Sequence, residues 1–207
     1  MKQMQQKKLI RAQVQKSIKQ ITVIERQNIS QQMTNLLLTV LTSEPYNILL
    51  NNSKNIAVFW STECEINSIF LINFLLKQNK FCYLPVINNN SQTLDFIKYT
   101  NNTKLIKNKF GILEPYFNIR DQISIASLDL IFMPLVAFDG LGHRIGSGSG
   151  LYDRSLSNNN LSCKLIGLAY SMQQIANFNS DPWDINLNFV ITEQQWLDFS
   201  KAVSQQA

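Results

Sequence analysis

The sequence predicts an α/β fold in one domain, residues 1–207, with a largely parallel, Rossmann-like sheet, helices on both faces and a helical segment at the N-terminus. Three observations carry this reading. A chain of 207 residues with 45% hydrophobic content holds one sizeable core and is too small for two independent ones. From residue 55 onward, short apolar runs alternate with longer helical patterns, as in a sheet covered by helices. Before that point the apolar residues recur only at helical spacing.

The elements follow in order. Leu9, Ile10, Val14 and Ile18 predict a helix over 3–20, and Met33, Leu36, Leu37, Val40 and Leu41 a second over 28–42, closed by Pro45. Strands are expected at 56–60, 81–84, 130–133, 165–169 and 189–191. A helix over 65–77 joins the first two strands into a βαβ unit, whose crossover should be right-handed. Asparagine-rich pieces at 51–52, 88–90, 101–102 and 158–160 read as loop tips, where side-chain amides satisfy the backbone locally.

A net charge of +5 fits a nucleic-acid binder, a membrane-surface protein or an enzyme of polyanionic substrates. Six of the nineteen Lys and Arg residues precede residue 20, and the rest are scattered without a basic stripe of interleaved aromatics, which argues against nucleic acid. Cys64, Cys82 and Cys163 lie far apart with no Cys-x-x-Cys pair, so neither a disulfide framework nor a zinc site is indicated, and a reducing compartment is the simple reading. Cys82 reads as a strand filler. The one histidine, His143, rules out histidine clusters and reads as an exposed loop residue without a partner. The longest apolar run, 69–76, is broken by Asn73 and is too short to span a bilayer. Residues 1–20 are basic and lack acids, as organellar transit peptides do, but one arginine and one serine favour a folded helix.

The most informative stretch runs from Asp129 to Arg154. A buried strand leads through a polar loop into Gly146-x-Gly148-x-Gly150 and a helix. Glycines so spaced let backbone N–H groups approach phosphate oxygens, and a following helix N-terminus favours negative charge. Arg144 adds a planar set of donors, and Asp153 is placed to hold Mg²⁺ beside a bound triphosphate. The spacing matches neither the Rossmann fingerprint nor Walker A, so on these residues alone a plain glycine turn stays open. Lys7 and Arg11 stand one helical turn apart and can face one anion, or simply form a solvated basic face.

The run 134–139 followed by Gly142-x-Arg144-Ile145-Gly146-x-Gly148-x-Gly150-x-Tyr152-Asp153-Arg154 resembles the signature of the 5-formyltetrahydrofolate cyclo-ligase family. Four more stretches agree in order and spacing: Lys7-x-x-Ile10-Arg11, Glu65-Ile66-Asn67-Ser68, Leu84-Pro85 and Phe110-Gly111-Ile112-x-Glu114-Pro115. Nearly the whole chain is covered. The resemblance implies a cytoplasmic, monomeric enzyme that uses ATP and Mg²⁺ to convert 5-formyltetrahydrofolate into 5,10-methenyltetrahydrofolate, releasing ADP and phosphate, with no nucleic-acid or membrane partner.

It also implies a set of residue roles. ATP would meet Lys7, Lys8, Arg11, Arg144, Ile145, Gly146, Ser147, Gly148, Ser149, Gly150 and Tyr152, with Arg144 and Tyr152 catalytic. The folate would meet Trp60, Glu65, Phe110 and Leu151, and Asp153 and Asp184 would bind magnesium. Local readings stand beside these: Glu65 as a carboxylate at a helix N-terminus, Phe110 as a core aromatic, Tyr152 as a packing residue and Asp184 as the start of a turn. Leu151 replaces the first of two tyrosines, Ser149 stands where Lys or Gly is common, and 178–184 keeps Asp184 without the usual proline. Leu151 keeps open a non-catalytic paralogue that binds nucleotide and folate. A small-molecule kinase, which would leave the phosphate on its product, is the competing enzyme class.

Overall fold

A computed structural model describes residues 2–157 and 162–200; the loop tip expected at 158–160 lies outside the described residues. Helices α1 (Lys2–Lys19), α2 (Val23–Thr42) and the short α3 (Asn47–Asn51) come first. α2 begins at Val23, five residues before the start expected at 28. Thr22 Oγ1 accepts from the Glu25 N–H at 3.2 Å while Glu25 Oε2 accepts from the Thr22 N–H at 2.8 Å, a reciprocal cap that satisfies two donors at the helix start.

Strand β1 (Asn55–Ala57), helix α4 (Ile69–Lys77) and strand β2 (Phe81–Asn88) form the expected βαβ unit. After them come β3 (Thr93–Tyr99), β4 (Leu105–Lys107), β5 (Leu113–Pro115), β6 (Gln122–Ile123), β7 (Leu130–Pro134), β8 (Ala137–Phe138), β9 (Arg144–Ile145), α5 (Leu151–Leu156), β10 (Lys164–Leu168), β11 (Phe189–Ile191) and β12 (Trp196–Asp198). The main sheet runs β12-β11-β10-β7-β1-β2-β3-β6. Its five central strands are mutually parallel, and β12, β3 and β6 add to the edges antiparallel. Pairs β4-β5 and β8-β9 stand apart as two-stranded ribbons.

Alternation along the strands divides the core in two, because successive side chains leave a strand on opposite faces. Ile56, Leu130, Phe132, Ile166 and Ile191 face α1 to α4, where they meet Ile18, Met33, Leu37, Leu71 and Ile72. Ala57, Ile131, Met133, Leu165 and Val190 face the other side. Helices cover both faces, but unequally. Among the described residues, four lie on one, whereas the second carries only the six-residue α5 and loop residues such as Leu135, Leu187 and Phe199. Val14 and Ile18 are buried in the first core, so α1 is an integral part of the fold.

The chain runs outward from the middle in both directions: β1 leads to β2 on one side and β7 to β10 and β11 on the other. The reversal between β1 and β7 makes the carboxyl ends of these strands the topological switch point, the usual place for a ligand in such sheets. The loops that follow β1, β7 and β10 all leave from that end.

Candidate active site

Arg144 is the centre of the arrangement. It lies in β9, is 5% exposed, and donates from Nη2 to Asp153 Oδ1 at 2.6 Å. The same carboxylate oxygen accepts from the N–H of Ile185 at 3.2 Å, which ties the loop after β10 to α5. The Arg144 Nε is buried with no acceptor among the described residues. A buried donor without a partner costs about 1–3 kcal/mol, so this atom is a donor available to an acceptor from outside the described residues.

Beyond β9 the chain enters the glycine turn. Gly148 and Gly150 have φ of +106° and +65°, conformations that favour glycine. None of the backbone N–H groups from Gly146 to Gly150 donates to an acceptor among the described residues. Arg11, from α1, lies against the turn: its Nε donates to the Gly146 carbonyl at 2.7 Å and its guanidinium stands beside Gly148. α5 is only six residues long, so its dipole adds little; the unengaged amides, Arg11 and Arg144 make the anion-attracting surface.

Lys7 lies one turn before Arg11 and is 8% exposed. Its ammonium donates to Asp181 Oδ2 at 2.6 Å and Asp184 Oδ2 at 2.5 Å. Burial works to lower its pKa, but the two carboxylates outweigh burial and hold the ammonium above its ordinary value. Asp181 was not anticipated. Its signal in the sequence was the Asp-Pro-x-Asp turn itself, in which the Asp184 N–H donates to the Asp181 carbonyl at 2.9 Å and the Asp181 N–H to Asp184 Oδ2 at 2.8 Å.

Comparison with known proteins decides the family. A family model described as the 5-formyltetrahydrofolate cyclo-ligase family matches residues 3–193. The chain belongs to the 5-formyltetrahydrofolate cyclo-ligase family. It is 36% identical over 185 residues to the 5-formyltetrahydrofolate cyclo-ligase of Haemophilus influenzae, covering 88% of this chain and 95% of that one. It is also 36% identical over 142 residues to the enzyme of that name from Escherichia coli K12, covering 68% and 78%. Among solved structures, the 5,10-methenyltetrahydrofolate synthetase of Aquifex aeolicus superposes with a TM-score of 0.76 at 27% identity, covering 93% of this chain and 92% of that one. The synthetase of Mycoplasma pneumoniae gives 0.70 at 25%, covering 90% and 98%.

The remaining residues that the cyclo-ligase resemblance singled out are placed as follows. Tyr152, in α5, packs partly buried on the second core face with the Arg144 guanidinium 6.0 Å from its ring centroid. Burial and, after it, the charge of Glu65 push its phenol up, against a lowering by Arg144, so it stays a neutral donor. Leu151 packs beside Tyr152 against the same core. Glu65 is not at a helix start, as the sequence suggested: α4 begins at Ile69, and residues 62–65 form a turn of their own. Its Oε2 accepts from the Thr62 N–H at 2.7 Å and the Thr62 hydroxyl at 2.9 Å. Burial pushes the carboxyl up, partly offset by those bonds. Trp60 packs edge-on against Tyr99, with ring centroids 5.9 Å apart.

Phe110 is no core aromatic. It is 62% exposed, at the turn between β4 and β5, under the Lys109 ammonium. Lys8 is exposed and forms no hydrogen bond or ion pair among the described residues, so α1 brings Arg11 to the glycine turn and Lys7 to the Asp181–Asp184 turn, but Lys8 to neither. His143 corrects the sequence reading outright. Its side chain is 19% exposed and its Nδ1 lies 2.9 Å from Asp139 Oδ2, because the turn from β8 to β9 folds it back over that carboxylate. Cys82 is the buried filler expected; burial pushes its thiol up to about 12.

Proposed function

We propose that this chain is an ATP-dependent 5-formyltetrahydrofolate cyclo-ligase, yielding 5,10-methenyltetrahydrofolate with release of ADP and phosphate. The observation that carries this is the buried Nε of Arg144 beside five backbone N–H groups, all without an acceptor among the described residues, in a chain of this family.

The chemistry asks for activation of a poor leaving group. The formyl oxygen forms a bond to the γ-phosphorus of ATP, the bond from phosphorus to the ADP oxygen breaks, and the formyl carbon becomes electrophilic. N10 then bonds to that carbon, its proton is lost, and phosphate departs with the former formyl oxygen. Transfer of this kind needs placement and charge stabilisation more than a protein nucleophile. Arg144, Arg11, Lys7 and the turn amides hold the phosphates; Tyr152 offers a neutral hydroxyl. Glu65 and Trp60, in the segment between β1 and α4, and Phe110 and Leu151 face the folate in this reading. No covalent enzyme intermediate forms.

Magnesium would be held by Asp153 and Asp184. Asp153 Oδ2 and Asp184 Oδ1 accept no hydrogen bond among the described residues, and the Ile185 N–H on Asp153 keeps the two carboxylates in one neighbourhood. No group of three or more acidic, His or Cys ligands exists among the described residues. That donor set suits an ion shared between one or two carboxylates and substrate phosphates. Bound there, Mg²⁺ would neutralise charge on the transferred group. No helix of the described residues is long and apolar enough to cross a membrane, and we place the enzyme in the cytoplasm as a monomer without a nucleic-acid partner.

The test is spectroscopic. Purified protein mixed with Mg-ATP and 5-formyltetrahydrofolate should generate the methenyl chromophore with one phosphate released per turnover. Binding without ADP release would identify a non-catalytic paralogue, and phosphate retained on the folate product a kinase.

A further inference from the structure

Asp139 directly follows β8 and is fully buried. Its Oδ1 accepts from the N–H groups of Leu141 at 2.9 Å and His143 at 3.1 Å. Its Oδ2 accepts from the N–H of Phe178 at 3.3 Å and lies 2.9 Å from His143 Nδ1. An ionised carboxylate only accepts, so that ring nitrogen carries the proton. Four donors on one carboxylate offset the cost of burying its charge.

These donors come from two loops that are 39 residues apart in sequence. Leu141 and His143 belong to the turn that delivers Arg144, the very next residue. Phe178 opens the segment whose Asp181 and Asp184 hold Lys7. The turn is tight: Gly142 has φ +82°, and a Cβ there would stand 2.9 Å from the Leu187 carbonyl oxygen. One buried anion therefore fastens the strand carrying Arg144 to the segment carrying the lysine's acidic partners. The edge contact of His143 with Phe178, at 5.8 Å between ring centroids, reinforces the same joint.

We propose that Asp139 is a positioning residue that fixes the spacing between Arg144 and the Asp181–Asp184 turn, and with it the geometry in which the nucleotide phosphates are held. This rests on the functional reading above. A purely structural carboxylate would instead stabilise the fold without bearing on how Lys7 and Arg144 act together.

The test is a double-mutant cycle on binding and turnover. Asp139→Asn keeps the shape and one acceptor oxygen but sets an amide NH₂ against donors at the joint. Its kcat should fall on the order of 10²-fold, the effect of a small misplacement of reacting groups. The dissociation constant of a non-hydrolysable ATP analogue, measured by calorimetry, should show effects of Asp139→Asn and Lys7→Met that fall short of multiplicative by about tenfold, because both act through one segment. His143→Ala, which removes a single donor, should show the same coupling in smaller measure and serves if Asp139→Asn does not fold. Multiplicative effects, or a lower Tm with kcat and analogue binding unchanged, would overturn the proposal. A wild-type protein that binds the analogue but forms no methenyl product would fault the functional reading and leave the binding cycle to judge Asp139.

Discussion

Arg144→Ala is expected to reduce methenyl formation by about 10²-fold or more in a protein that still folds. The side chain is buried in β9, with Nη2 spent on Asp153 and Nε without an acceptor among the described residues. A donor held ready in a water-poor site needs no reorganisation when charge develops on the transferred phosphoryl group. Alanine deletes that donor and leaves Asp153 with the Ile185 N–H and some access to water, so the cost to folding should be modest beside the cost to turnover. Because the charge it meets grows in the transition state, kcat should fall more than KM for ATP rises. Steady-state kinetics followed at the methenyl absorbance checks this; unchanged turnover in a folded variant would take Arg144 out of the reaction.

Asp153→Asn should have two consequences of different kinds. The Mg²⁺ concentration needed for half-maximal activity should rise, because a charged oxygen ligand becomes a neutral one. In the absence of nucleotide the fold should lose about 2 kcal/mol, since a guanidinium with a side chain 3% exposed loses its counter-charge. That figure lies below the usual cost of a broken buried pair because the asparagine oxygen still accepts and the site is one-fifth open on the Asp153 side. ATP should restore part of the loss, as its phosphates take over the guanidinium. Thermal unfolding with and without ATP, together with a magnesium titration, separates the effects. An unaltered titration would remove Asp153 from the metal's ligands.

The sequence displayed the parallel core and the phosphate turn, and for physical reasons. Strands buried on both sides, such as β7 and β10, are written as continuous apolar runs, and a Gly-x-Gly-x-Gly turn needs its residue type at fixed positions. The antiparallel strand β3, between β2 and β6, escaped notice because the adjacent Phe96 and Ile97 break the alternation that Leu94, Asp95 and Phe96 begin. Glu65 was misplaced for a related reason: the Thr62–Glu65 pair looks like a helix cap but closes a separate turn, and the helix starts four residues later. Asp139 and Asp181 were illegible as partners, since each acts across more than thirty residues of chain on a group that no local pattern names. His143 read as a lone imidazole although its partner stands only four residues before it, because the two meet only through the fold of the turn between β8 and β9.

The proposed reaction requires a nucleotide's terminal phosphates to lie against residues 144–153. A structure of the protein with a non-hydrolysable ATP analogue and Mg²⁺ tests this directly. The expected result has phosphate oxygens within hydrogen-bonding distance of the Gly146–Gly150 amides and of Arg144 Nε. A triphosphate bound elsewhere, with that turn unchanged and empty, would contradict it.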